Sequence, residues 1–266
     1  MINGSEGLKR SEKKEITYEK GSNREKGVTI SHARQIWKER GIRELAREVL
    51  LLLLEWMLLI PTIGYHVFFD PYFSVGGVRY RYYLGLHKRP YRPIHGERVV
   101  EIGYAKKFLG NRNYEHFLEV GNVMSHYLRV GHDVLDKYEI STGVINEDIV
   151  DFSPSHKYDV ILSISTVEHV GFDEPIMEEG KATRAILRIR ELLREGGVAL
   201  ITTPLGYNSE IDEVVLKNSL NFSQEIFMKR VSSLNRWVQT TKEEPILRYD
   251  SKYKFANFLA LLIIEK

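Results

Sequence analysis

Groups that could carry out acid–base chemistry follow the apolar run Tyr158-Asp-Val-Ile-Leu-Ser-Ile-Ser165. Glu168 and His169 lie just after this run. A histidine that is neutral near pH 7 can take a proton from a hydroxyl, and a nearby carboxylate can orient the groups around it. These residues predict a general base at this position. A histidine that only caps or packs the next helix is the alternative interpretation.

The same residues do not form a convincing metal site. Glu168, His169 and Asp173 could at most hold a divalent cation weakly, and a solvated acidic loop explains their spacing better. The chain contains no cysteine, so thiolate ligands, thiol nucleophiles and disulfides are all excluded. We therefore predict no metal cofactor.

A second candidate site lies where the run Phe117-Leu-Glu-Val-Gly-Asn-Val-Met-Ser125 turns into a loop. Gly121 has no Cβ, so the backbone can pass close to a ligand there. Glu119 is the last acid before the turn and could reach a cationic amino group directly or through water. A nicotinamide cofactor would require G-x-G-x-x-G for its pyrophosphate, but Val123 follows Gly121 in the motif instead of glycine. The pattern favours a ligand without phosphates.

Two further acids follow the next two apolar runs. Asp136 ends the second run, where a carboxylate can accept hydrogen bonds from ribose hydroxyls. An exposed loop acid is the alternative for Asp136. Glu147 and Asp148 follow the third run, where an acid could accept the amino group of an adenine while Ile149 packs against the ring. Together these positions indicate a nucleoside-binding site.

The runs that carry these residues alternate with helical patterns from Tyr114 onward. A helix is predicted over Lys181–Glu195, because apolar residues recur along one face there. Strands are predicted at 116–120, 133–136, 143–146, 159–165, 197–203, 236–240 and 255–264. This alternation indicates an α/β fold with a mostly parallel sheet of about seven strands. Because parallel strands end at the same edge of a sheet, the candidate residues should come together.

With these motifs in view, the stretch from Tyr114 to about Asn208 resembles the core of class I S-adenosylmethionine-dependent methyltransferases. The acid and glycine around the first strand end resemble the first family motif, and DVILSIST resembles the fourth. LLREGGVALITTP is similar to the recurring L-x-x-G-G step of the family. The combination GERVVE, GNVMSHY, VLDKYE, SISTVEHVG and TTPLGYN resembles a subgroup of small methyltransferases associated with cell-surface polysaccharide assembly.

The resemblance implies a Rossmann-like fold that uses S-adenosylmethionine. It implies methyl transfer, and we expect the acceptor to be a hydroxyl of a sugar, glycan or other small molecule. His169 is the expected base because it follows the strand end that should face the methyl group, with Glu168 beside it. Two alternatives stay open: an RNA or protein methyltransferase, and a catalytically silent assembly partner with a glycine-poor first loop. The residues expected to contact the cofactor are Glu119, Gly121, Asp136, Asp148 and Ser165.

The chain divides into three predicted regions. Residues 1–30 are polar and charge-rich, which is typical of disorder. Residues 31–109 form an extension that contains a helix from about residue 32 to residue 60 and a basic, tyrosine-rich segment at 79–104. That segment could bind a polyanionic or nucleotide-linked glycan, or pack as a lid through its tyrosines. Residues 110–266 form the methyltransferase domain.

The apolar run Val49–Phe69 is predicted to pack mostly against the catalytic domain, as a helix that ends at Pro61. An anchor lying in a membrane interface is the second interpretation, because basic residues precede the run. Crossing the bilayer is disfavoured, since the run reaches spanning length only by including Glu55 and Pro61.

The composition also limits which classes of binding partner are expected. The net charge of +2 gives no general argument for nucleic acid, and no RNA-binding module is recognisable. The sequence indicates a cytoplasmic protein with peripheral membrane contact as a second interpretation. It leaves the oligomeric state open.

Overall fold

The computed structural model describes residue 38 and residues 41–85, 96–110, 112–129 and 131–266. The predicted disorder of residues 1–30 and the predicted start of the first helix lie outside these residues. Four α-helices are described: α1 (Ile42–Phe68), α2 (Arg98–Gly110), α3 (Lys181–Leu192) and α4 (Ser209–Leu216). A hairpin is formed by β1 (Tyr72–Val75) and β2 (Val78–Arg81).

The remaining strands form one sheet of eight. In chain order they are β3 (Phe117–Val120), β4 (Asp133–Leu135), β5 (Val144–Ile145), β6 (Tyr158–Ile164), β7 (Leu193–Leu205), β8 (Gln224–Arg230), β9 (Trp237–Thr240) and β10 (Phe258–Glu265). Their order across the sheet is β5-β4-β3-β6-β7-β10-β8-β9. The α/β, Rossmann-like fold class predicted from the sequence is confirmed.

The sheet combines parallel and antiparallel strand pairs. β5, β4, β3, β6 and β7 pair in parallel, and β6 is buried along its whole length. β10 pairs antiparallel with both β7 and β8, and its long apolar run is buried between them. The sequence predicts about seven strands and misses β8, because polar residues occupy both ends of that strand.

Helices cover the two faces of the sheet separately. On one face α3 and α4 pack through Ile186, Ile189 and Val215. On the other face α2 packs through Val99 and Ile102, beside the hairpin. The predicted domain boundary would assign α2 to the extension; in the fold α2 lies directly on the sheet. The boundary itself stays a prediction.

The helix α1 departs from the sequence prediction in two ways. It does not end at Pro61 but continues to Phe68. Pro61 is exposed, so water can bond the carbonyl that loses its helical partner. The prediction that Val49–Phe69 packs mostly against the domain is also wrong for the side chains of the run that the structure describes, because most of these are exposed. Among the described residues, no helix is both long and apolar enough to cross a membrane.

Candidate active site

The loop after β3 is shaped by Gly121. Its φ of +87° lies in the left-handed region, and its N–H donates to the Leu135 carbonyl at the end of β4 (2.7 Å). A Cβ at this position would overlap the Thr166 side chain, lying 2.7 Å from its Cγ2. Glycine is therefore needed here both for backbone conformation and for close packing against the end of β6.

We expect Gly121→Ala to lower the free energy of unfolding by at least about 1–3 kcal/mol, because backbone strain and a clash add together. Gly143→Ala is a matched control, since Gly143 also has positive φ (+84°) but nothing lies within 4 Å of its added Cβ. Urea denaturation of both variants separates the two contributions. Equal losses in the two variants would show that the contact with Thr166 contributes nothing.

Glu119 is fully buried beneath this loop. Its Oε1 accepts the N–H groups of Val123 (2.9 Å) and Met124 (2.6 Å), and its Oε2 lies 2.9 Å from Nε2 of His132. Both carboxylate oxygens are thus engaged in holding the loop after β3. The predicted contact with the amino group of the cofactor stays a prediction, and in this structure the carboxylate positions the loop.

Asp136 lies beside the Gly121 loop, as the sequence predicts for residues at the ends of neighbouring parallel strands. Its Oδ2 accepts the N–H of Asn122 (3.1 Å), and its Oδ1 accepts those of Tyr138 (2.9 Å) and Glu139 (2.8 Å). The side chain is partly exposed. These bonds fix the orientation of the carboxylate and leave Oδ2 with room for another donor.

Asp148 takes part in a cluster of four charges. Its Oδ2 lies 2.8 Å from Nζ of Lys137 and 2.7 Å from Nζ of Lys181, and both lysines also contact Glu174. Burial raises the pKa of Asp148, but hydrogen bonds from the two lysines outweigh it and hold the pKa below its ordinary value. The cluster joins the loops after β4, β5 and β6 to α3. Asp148 is therefore already paired with two lysines. The cluster holds these loops together at this edge of the sheet.

Ser165 directly follows β6 and has an unusual backbone conformation, with φ of +38°. Its N–H donates to the Thr202 carbonyl (2.9 Å), and its hydroxyl donates to Oε1 of Glu101 (2.5 Å). Glu101 comes from α2, is fully buried, and also accepts the Thr202 hydroxyl (2.6 Å). Its other oxygen pairs with Arg98 (2.5 Å). Glu101 thus ties α2 to the strand ends of the candidate site.

Glu168 is a second fully buried carboxyl at the end of β6. Its Oε2 accepts the Thr203 hydroxyl (3.2 Å), whereas its Oε1 has no hydrogen-bond partner among the described residues. Burial raises the pKa of Glu168 to about 7, and the charge of His169 only partly opposes this. The carboxyl can therefore exist in either protonation state near neutral pH.

His169 and Asp173 form a hydrogen-bonded pair next to Glu168. Nδ1 of His169 contacts Oδ2 of Asp173 at 2.5 Å, and Nε2 lies 3.8 Å from the unpartnered Oε1 of Glu168. About half of the His169 side chain is exposed (47%). Partial desolvation lowers the pKa of His169, but the carboxylates of Asp173 and Glu168 outweigh it and raise the pKa above its ordinary value. The pair has the geometry of an oriented base.

Aromatic rings line the space beside this pair. The Tyr207 hydroxyl donates to the same Asp173 oxygen (2.5 Å), and its ring packs edge-on against His169 (5.1 Å between centroids). Tyr249 packs against Tyr207 at 5.0 Å. Within the residues that the structure describes, no group of three histidine or acidic side chains could hold a metal ion.

The predicted residues therefore separate into groups. Gly121 and Asp136 lie together, and Gly121 also approaches the end of β6, where Ser165, Glu168 and His169 follow one another. Glu119 and Asp148 are held in contacts of their own. Sequence reasoning did not predict the partners of these acids, nor Glu101, although GERVVE was among the motifs noticed.

No protein-family model matches the sequence, and no curated protein is significantly similar to it. Solved structures share the arrangement of elements. The N-methyltransferase NodS from Bradyrhizobium japonicum in complex with S-adenosyl-L-homocysteine is 13% identical, with a TM-score of 0.41, covering 64% of this chain and 87% of its own. A TehB-like S-adenosylmethionine-dependent methyltransferase from Corynebacterium glutamicum is 16% identical, with a TM-score of 0.36, covering 61% and 86%. Both of these solved structures are of methyltransferases, and the likeness concerns the arrangement of elements alone.

Proposed function

We propose that this chain transfers a methyl group from S-adenosylmethionine to a hydroxyl of a small acceptor, a sugar or glycan in particular. The observation that carries the proposal is the His169–Asp173 pair, half-exposed at the end of β6 beside the Gly121 turn. The sequence motifs add support, since they resemble methyltransferases of surface polysaccharide assembly. S-adenosylmethionine supplies an electrophilic methyl group on a sulfonium centre.

The residues at the ends of β3 and β4 fit the nucleoside part of this cofactor. Asp136 is oriented by three backbone N–H groups, and its Oδ2 can still accept a ribose hydroxyl. The Gly121 turn, which carries no side chain, lies directly beside it. Glu119 serves this site by holding the turn, because its own oxygens are already bonded.

The residues after β6 fit the acceptor. Nε2 of His169 is the ring nitrogen that Asp173 does not occupy, so it can take the acceptor's proton while Nδ1 stays bonded to Asp173. The ring of Tyr207, which packs edge to face with Tyr249, offers an aromatic surface against which a sugar ring can pack. Methyl transfer otherwise needs mainly alignment, which rigid strand ends provide.

Asp136→Ala is expected to weaken S-adenosylmethionine binding by about 10–100-fold, because a charge-assisted hydrogen bond to ribose is lost. Isothermal titration calorimetry with S-adenosylmethionine and its demethylated product measures this. Glu195→Ala, an exposed acid near the start of β7 and so at the opposite edge of the sheet, is the matched control and should bind as the wild type does. Equal affinities of Asp136→Ala and wild type would remove Asp136 from the site.

A methyl-transfer assay identifies the acceptor class. Purified protein is incubated with S-adenosylmethionine and candidate sugars, and mass spectrometry reports the gain of one methyl group. Methylation of RNA or of a protein instead of a sugar would favour the alternative enzyme classes. Failure of the wild type to bind the cofactor at all would favour a silent assembly partner.

A further inference from the structure

The helix α1 carries an apolar surface that the rest of the described chain leaves uncovered. We call this surface the outer face of α1; it consists of Ile42, Leu50, Leu53, Met57, Ile60 and Phe68. Their side chains are 54–80% exposed. At about 3.6 residues per turn, all six lie within roughly a quarter of the helix circumference. The outer face therefore runs as one continuous stripe along the length of α1.

The opposite face of α1 fixes the helix to the domain. Leu59, Thr62 and His66 are buried and point away from the outer face. The two ring nitrogens of His66 each lie 2.9 Å from a backbone carbonyl, that of Asp70 and that of Leu234. Because the inner face is held in this way, α1 cannot rotate to bury its outer face against its own sheet.

Further apolar groups are exposed in the residues that follow the helix. Phe69 follows Phe68 and is also 80% exposed. Tyr72 and Val78 of the hairpin are exposed, and the guanidinium of Arg79 stacks 4.4 Å from the centre of the Tyr72 ring. Aromatic rings next to cationic side chains are typical of the interface between lipid headgroups and acyl chains.

The exposed charges that the structure describes on α1, the hairpin and α2 have one sign. Between residues 41 and 110, every exposed charged side chain that the structure describes is cationic, and these are Arg43, Arg79, Arg81, Lys106 and Lys107. The acids described there, Asp70, Glu97 and Glu101, are partly or fully buried. An excess of exposed cations attracts a negatively charged surface and opposes the approach of a second copy of the same region.

We propose that α1 binds the surface of an anionic phospholipid membrane, with its outer face in the boundary between headgroups and acyl chains. A helix that lies in this plane needs one apolar stripe and nearby cations, which α1 and the hairpin provide. RNA would satisfy the cations but leave the apolar stripe in water. A second copy would cover the stripe but place like charges together. The proposal is independent of the methyl-transfer activity.

The experiment is co-sedimentation of the full chain with phosphatidylcholine vesicles, with and without about 30% phosphatidylglycerol. The double variant Met57→Glu/Ile60→Glu places two carboxylates on the outer face. We expect wild type to bind the anionic vesicles, and the double variant to bind at least about tenfold more weakly. Raising the salt concentration should weaken wild-type binding without abolishing it.

Leu58→Glu is the matched control, because Leu58 is also exposed on α1 (43%) but lies outside the outer face. It should bind vesicles within about threefold of wild type. Circular dichroism and the thermal midpoint establish that all variants are folded. Absence of wild-type binding, or equal binding by the double variant, overturns the proposal. A dimer that the double variant converts to monomers, with no vesicle binding, assigns the outer face to a second copy instead.

Discussion

His169→Ala is expected to lower kcat by about 10²–10⁴-fold, the contribution typical of a positioned general base. Its affinity for S-adenosylmethionine should stay unchanged, because Gly121 and Asp136 lie in a different loop. The measurement combines turnover, followed by mass spectrometry of the methylated acceptor, with calorimetry of cofactor binding. Only a loss confined to turnover identifies His169 as the base.

The matched control is His116→Ala. His116 is exposed just before β3, at the opposite edge of the sheet, and its ring packs against His156 at 4.4 Å. We expect turnover within about threefold of wild type for this variant, because surface substitutions away from a site usually have small effects. If His169→Ala loses less than about tenfold, alignment alone drives the reaction. If it unfolds or loses cofactor affinity, His169 has a structural role.

The pH profile gives a second test of the same base. Only neutral imidazole accepts a proton, so turnover should rise with pH through the pKa of His169, which its carboxylate neighbours raise above the ordinary value. Asp173→Asn removes the bonded carboxylate, so the pKa should fall and the rise should move to lower pH. An unchanged profile in Asp173→Asn would show that another group controls turnover.

Sequence patterns were sufficient for the parts of the fold that depend on local rules. Gly121 and Asp136 could be placed at one edge because parallel strands of buried β-branched and apolar residues end there. β10 could be recognised because a strand covered on both faces needs an unbroken apolar run. β8 escaped recognition because its polar ends mask its buried centre.

The orientation of the site acids could not be read from the sequence. Glu119 precedes the turn, as expected. However, two backbone N–H groups of the turn donate to one of its carboxylate oxygens, and His132 contacts the other. Asp148 meets Lys137 and Lys181, which are far apart in the chain. Such pairings depend on tertiary contacts between loops, and local periodicity carries no information about them.

Glu101 and the outer face of α1 escaped prediction for a related reason. The hydrogen bond of Glu101 with Ser165 joins residues of different elements, and no spacing rule links them. The apolar run of α1 predicts burial, but only the tertiary structure shows which face the domain covers. The same composition is compatible with a core helix and with a membrane-surface helix.

Glu168→Gln is expected to raise the free energy of unfolding above that of the wild type by more at alkaline pH than at acid pH. The pKa of Glu168 is raised from 4.5 to about 7 in the fold, so the folded state holds its proton more tightly than the unfolded state. Wild-type stability therefore falls as pH rises from the unfolded to the folded pKa. At about 1.36 kcal/mol per pKa unit, the full penalty above pH 7 is about 3 kcal/mol. Glutamine carries no charge and avoids this penalty.

The measurement is the free energy of unfolding by urea at pH values near 4 and near 8. Any effect of the amide on packing is the same at both pH values. The change with pH in the difference in free energy of unfolding between variant and wild type therefore reports the ionisation of Glu168 alone. We expect that difference to grow by up to about 3 kcal/mol between the two conditions.

Glu179→Gln, an exposed glutamate in the following loop, is the control and should show no such growth. A pH-independent difference for Glu168→Gln would mean that Glu168 ionises in the fold as it does in water. Its unpartnered oxygen would then need a water or ligand donor that stabilises the carboxylate beside His169.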